Sequence, residues 1–371
     1  MTSGDGMKKT AGAGLAAVMA AILTGGSALA QEKVVNVYNW SDYIDDSVLA
    51  DFTKETGIKV RYDVYDSNEV VFSKVMAGKT GYDIIVPTSY FLSRMIAAGA
   101  LAKLDKSKLP NLINLDPELT GRMAKYDPGN QYGVIYLWGT TGIGLNRDKI
   151  KQRMPNPPAN SLAMVFDPAV VAKFADCGVT MLDAPDEVIP AALRYLGENP
   201  DSKDPKVLEK AEAHLMKIRP YIRKFHSSQY INDLANGDIC LALGWSGDVL
   251  QAKTRADEAK NGVVVQYLVP KEGAQMWFDN LAMPKDAPNP DNALAFINFI
   301  QRPEVIAKIS NKVQYPNANR AADRLIAKET KADPDVYPTP AMLKNLYTVT
   351  PNTQAEQRLF TRIWNKVKGA N

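Results

Sequence analysis

Residues 34–65 read VVNVYNWSDYIDDSVLADFTKETGIKVRYDVY, and this stretch decides the fold class. Residues 34–39 form a short β-rich run. Asp45-Asp46 can cap a helix with Val48, Leu49 and Phe52 on its apolar face, and Gly57 supplies the stop signal. Ile58, Val60, Tyr62 and Val64 then alternate with polar residues, the period of a strand. Further along the chain, Val70, Val71, Val75 and Met76 make the next helical stripe, ended by Gly78. Residues 82–86 read as a buried strand stopped by Pro87, and Phe91, Leu92, Met95 and Ile96 open another helix ended by Gly99. The order β-α-β-α-β-α predicts an α/β fold, with a mostly parallel sheet covered by helices.

The pattern returns later. Residues 179–182 read as a strand followed by a helix over 188–196, and residues 239–243 as a strand followed by a helix through Val249 and Ala252. Residues 263–269 form a strand closed by Pro270, while 151–160 and 199–205 are surface loops.

Lys plus Arg total 44 and Asp plus Glu total 41 in 371 residues, so the net charge is +3. That balance does not suit a polyanionic partner, and no nucleic acid is expected. A length of 371 residues implies two domains at roughly 150 residues each, or one large one. Two His and two Cys leave little material for a zinc site or a His-based triad, so no metal and no cofactor are expected. Residues 1–30 read as a cleaved signal peptide: Lys8-Lys9, an apolar stretch, then Ala28-Leu29-Ala30. An oxidising compartment favours pairing of Cys177 with Cys240, two separate buried thiols being the alternative.

In open α/β sheets, ligands bind beyond the carboxyl ends of strands. Here those ends read Trp40-Ser41-Asp42-Tyr43, Thr88-Ser89-Tyr90, Asp183 to Glu187 and Trp245-Ser246-Gly247-Asp248, with Trp277-Phe278-Asp279 on a later turn. Acids beside aromatics suit a ligand with cationic ends and an apolar middle. Aromatic faces attract cations, and carboxylates add charge-assisted hydrogen bonds to ammonium groups. At any single junction, the same residues serve equally well as core aromatics and helix caps. Other chemistry is missing. Gly78-Lys79-Thr80 lacks the first Gly of a phosphate loop, and Gly142-Ile143-Gly144 lacks the third Gly of a dinucleotide fingerprint. Gly244-Trp245-Ser246-Gly247 is one residue short of a nucleophile elbow. His214 is expected to be a surface or boundary residue, and His226 to be structural, with a ligand contact as the alternative.

The segment Val37-Tyr38-Asn39-Trp40-Ser41-Asp42-Tyr43-Ile44 resembles the first strand and site loop of bacterial periplasmic polyamine-binding proteins of ABC importers. Matching segments are Tyr82-Asp83-Ile84-Ile85-Val86-Pro87 and residues 225–238 (FHSSQYINDLANGD), together with Gly244-Trp245 and Phe278-Asp279. The resemblance implies a type II periplasmic binding protein fold, with two lobes and the ligand in the interlobe cleft. It implies lobe 1 from 31–138 plus 277–312 and lobe 2 from 139–276 plus 313–371. It further implies a periplasmic monomer that closes on a polyamine and delivers it to an inner-membrane ABC permease, and not an enzyme. Residue by residue, Trp40 and Tyr43 resemble aromatic walls, and Ser41, Asp42 and Thr88 polar contacts. Glu187, Trp245, Asp248, Asp279 and Tyr315 resemble further ligand contacts, and Cys177 and Cys240 match a family disulfide. Trp277 stands where spermidine receptors tend to have Trp, so the reading leans to spermidine. A putrescine-specific or dual-specificity receptor is the alternative, and an exported hydrolase using cleft carboxylates a remote one.

Overall fold

A computed structural model describes residues 33–370; the expected signal peptide lies outside them. The strands are β1 (Val34–Trp40), β2 (Lys59–Tyr65), β3 (Ile84–Ile85), β4 (Gly133–Asn146), β5 (Val179–Met181), β6 (Lys224–Phe225), β7 (Leu241–Trp245), β8 (Val265–Leu268) and β9 (Gln275–Ala282). They form one sheet in the order β2-β1-β3-β9-β4-β7-β5-β6, with β8 also on β4.

Each end of the sheet is parallel: β1 pairs with β2 and β3, and β5 pairs with β6 and β7. The first half is built as the sequence predicts, with helices Asp46–Thr56 and Asn68–Ala77 between its strands. Asp45 caps the first of these by accepting from Ser47 N at 2.9 Å. Gly57 ends it at φ 70°, in the left-handed region where a Cβ is costly.

The middle of the sheet departs from the expected parallel order. β9 lies antiparallel to β3 and β4, and β4 lies antiparallel to β7 and β8. Trp277, Phe278 and Asp279 are consecutive residues inside β9, not a turn. All residues of β4 and β9 are buried, so neither strand carries the alternation that marks a half-buried one. These two strands run from one parallel half to the other, with Trp138 opposite Phe278 and Gly139 opposite Trp277.

After helix Pro303–Val313 the chain stays against the first half, where Asp116 N donates to Ala318 O at 2.7 Å and Asn319 Nδ2 to Gln301 O at 2.7 Å. It then meets β9, with Met276 N donating to Tyr347 O at 2.8 Å. Helix Gln354–Gly369 ends on the second half, where Trp364 Nε1 donates to Asp183 Oδ1 at 2.6 Å. Cys177 and Cys240 form a disulfide with a Cα–Cα distance of 5.6 Å. The bond ties together the starts of the neighbouring strands β5 and β7.

Candidate ligand-binding site

The two parallel halves run in opposite directions within the sheet, so their carboxyl ends face each other across a narrow cavity. Trp40, Ser41 and Tyr43 reach it from the end of β1, and Thr88 from the residues after β3. Glu187 lies in the first turn of helix Pro185–Tyr195, which follows β5. Trp245 closes β7, and Asp248 sits in the first turn of helix Ser246–Ala259. Trp277 and Asp279 project from β9, and Tyr315 follows helix Pro303–Val313.

Five aromatic rings form a continuous wall. Trp40 and Trp245 meet edge to face at 5.5 Å between centroids, and Trp245 and Trp277 at 6.4 Å. Trp277 leans on Tyr315 at 5.6 Å, and Tyr315 on Tyr43 at 5.1 Å. Gly139 makes room for Trp277, because a Cβ there would lie 2.7 Å from its Cη2.

Each of the three buried carboxylates is held by neutral donors. Asp279 accepts from Tyr43 OH at 2.9 Å and Thr88 Oγ1 at 2.7 Å. Asp248 accepts from Tyr315 OH and Tyr230 OH, both at 2.8 Å. Glu187 accepts from Trp245 Nε1 at 3.0 Å, from Tyr90 OH at 3.2 Å and from the Thr141 hydroxyl. Burial pushes the carboxyls of Glu187, Asp248 and Asp279 up to about 7, against the pull of these donors. The lining holds four carboxylates and no Lys, Arg or His. A cation entering it replaces the lost hydration of the carboxylates; an anion finds no partner.

Ten of the residues singled out in the sequence line this cavity; Asp42 does not. Its backbone turns through φ 55°, and its Oδ1 accepts from Arg255 Nη2 at 2.6 Å, in a separate groove beyond Tyr43. Asp42 is thus engaged in an ion pair outside the lining. Two further residues line the cavity that the sequence does not single out, Asp66 and Ser227. Asp66 directly follows β2, so its signal in the sequence is the same strand-end position. Ser227 follows β6, a two-residue strand that carries no periodic signal.

His214 Nε2 lies 2.6 Å from Phe166 O, and His226 Nδ1 accepts from Ser228 N at 3.1 Å, so both serve the backbone. Among the described residues, no group of three His, Cys, Asp or Glu side chains is placed to hold a metal, and no helix is long and apolar enough to cross a membrane.

An α/β chain whose two sheet halves present an acid-lined aromatic cavity to each other has the architecture of a type II periplasmic solute-binding protein. Residues 47–339 match the bacterial extracellular solute-binding protein family, and the chain belongs to it. It is a solute-binding protein and not an enzyme. It is 52% identical over 355 residues to the putrescine-binding periplasmic protein SpuD of Pseudomonas aeruginosa, covering 95% of this chain and 97% of that one. It is 51% identical over 345 residues to the putrescine-binding periplasmic protein PotF of Escherichia coli, covering 92% and 93%. Its fold superposes on a putative spermidine/putrescine ABC transporter protein from Listeria monocytogenes with a TM-score of 0.81, at 32% identity, covering 91% of this chain and 100% of that one.

Proposed function

We propose that this protein captures putrescine in the cavity between its sheet halves. It acts in the periplasm as a monomer and hands the diamine to an inner-membrane ABC permease. One observation carries the reading: four carboxylates and no cationic side chain stand within a wall of five aromatic rings. The ammonium ends pair with Glu187, Asp248 and Asp279. The methylenes lie against Trp40, Trp245 and Trp277, gaining ~0.8 kcal/mol for each one buried. Ser41, Tyr43, Thr88 and Tyr315 complete the contacts.

Two lobes closing on the ligand fit the chain path. The expected crossings near 138 and 276 fall in β4 and β9, where those strands pair. The hydrogen bonds of Ala318 and Asn319 support a third crossing later than 312.

Putrescine replaces the lean to spermidine, which rests on Trp277 alone. The Trp277 indole donates to Thr141 Oγ1 at 3.1 Å and is wedged between Trp245 and Tyr315, which supports a wall rather than a reader of extra length. The two relatives at about half identity are both named for putrescine.

Calorimetry with putrescine, cadaverine and spermidine tests the reading. Putrescine is expected to bind tightest; no heat from any of the three at micromolar protein would sink the proposal.

A further inference from the structure

Tyr230 stands outside the cavity lining, on helix Tyr230–Asn236, and is fully buried. Its hydroxyl accepts from Trp245 N at 3.0 Å and donates to Asp248 Oδ2 at 2.8 Å. One oxygen thus fixes the backbone of a wall residue and the carboxylate beside it. The other Asp248 oxygen is held in the same way: Tyr315 OH accepts from Asp248 N at 3.1 Å and donates to Oδ1 at 2.8 Å. Tyr315 lines the cavity, whereas Tyr230 lies behind the lining.

The ring of Tyr230 is seated independently of its hydroxyl. It lies over Gly244, where a Cβ would come within 2.6 Å of its Cε2. Removing the hydroxyl alone therefore leaves the ring in place and frees Asp248 Oδ2.

We infer that Tyr230 is a positioning residue for ligand capture: without contacting the ligand, it orients the Asp248 carboxylate and the Trp245 wall as a unit. The inference rests on the polyamine reading above. A buried carboxylate with one donor removed is freer to rotate, and its ionised form is less favoured. The other charged or titratable groups around Asp248 are Tyr315, Asp42, Arg255, Asp279 and Tyr43. Tyr230→Phe leaves all of these in place.

The experiment compares wild-type, Tyr230→Phe, Asp248→Asn and the double variant by putrescine calorimetry from pH 6 to 9, with thermal melting of each ligand-free protein. Tyr230→Phe is expected to weaken putrescine about tenfold at pH 7, to move the pH midpoint of affinity upward, and to cost less in the Asp248→Asn background, where only the Trp245 contact is left to lose. An unchanged pH midpoint, or an equal loss in both backgrounds, overturns the inference and leaves Tyr230 a core residue. If wild-type protein gives no heat with putrescine, the polyamine reading has failed instead. A lowered melting temperature with unchanged affinity also counts against the inference.

Discussion

Asp42 and Arg255 form an ion pair at 2.6 Å that joins the loop after β1 to the helix after β7, one from each half of the sheet. Arg255 is held from its own side by Asn232 Oδ1, at 2.7 Å from Nη1. Both side chains are about a third exposed, so the pair is worth at most ~1 kcal/mol and is screened by salt. Asp42→Ala is expected to weaken putrescine by about two- to fivefold, with the difference shrinking at 0.5 M salt. A loss of a hundredfold in calorimetry would instead place Asp42 on the ligand.

Asp279 separates binding from stability. In Asp279→Asn one of the Thr88 and Tyr43 hydroxyls can turn to accept from the amide nitrogen while the other still donates to the amide oxygen, so the fold keeps its hydrogen bonds. Putrescine affinity is expected to fall by at least about a hundredfold, in line with removing one partner of a buried charge pair. The ligand-free melting temperature should hold or rise, because a buried charge is gone. Calorimetry and a melting scan on the same variant read both effects.

The pH response follows from Glu187, Asp248 and Asp279, whose carboxyls are raised by burial to about 7. A carboxyl raised on folding stabilises the protein below its unfolded value of about 4, and that contribution is lost as pH climbs through about 7. Ligand-free protein should therefore melt higher at pH 5.5 than at pH 8.5. Putrescine needs the ionised carboxylates, so its affinity should rise between pH 6 and 8 with release of protons. Calorimetry in buffers of different ionisation heat measures that release; proton uptake on binding would contradict this account.

The glycines behind the aromatic wall set its shape. A Cβ on Gly139 would meet Trp277, and one on Gly247 would press into the Tyr315 ring. Gly247→Ala should cost about 1–3 kcal/mol of stability through overpacking. Putrescine affinity should fall at least tenfold as Tyr315 is displaced from Asp248. Melting and calorimetry together check this, and an unchanged Kd would mean that the wall tolerates the shift.

The disulfide should matter for stability and not for binding. Cys177 and Cys240 precede β5 and β7, at the opposite ends of those strands from Glu187 and Trp245. Replacing both with Ser is expected to cost about 2–4 kcal/mol. Denaturant unfolding reads that cost, while Kd for putrescine stays within about twofold.

Much of the site was legible because a chemical rule ties it to local sequence. Trp40, Thr88, Glu187 and Trp245 all stand at or shortly beyond the ends of short parallel strands, and those ends are marked by a switch from strand to helix hydrophobic period. Asp66 obeys the same rule. Asp42 obeyed it and still faced away, since a left-handed backbone turn aims its side chain at Arg255.

Local sequence set the β-α-β halves, the caps and the inventory of acids and rings, since periodicity and capping act within a few residues. Tertiary structure alone decided the antiparallel centre, because strands buried on both faces show no alternation. It also decided what holds each acid: Tyr43 and Asp279 are 236 positions apart, and Tyr315 and Asp248 are 67 apart. A hydrogen bond across such a separation leaves no local pattern, and it forms only when the packed sheet brings both side chains to one place.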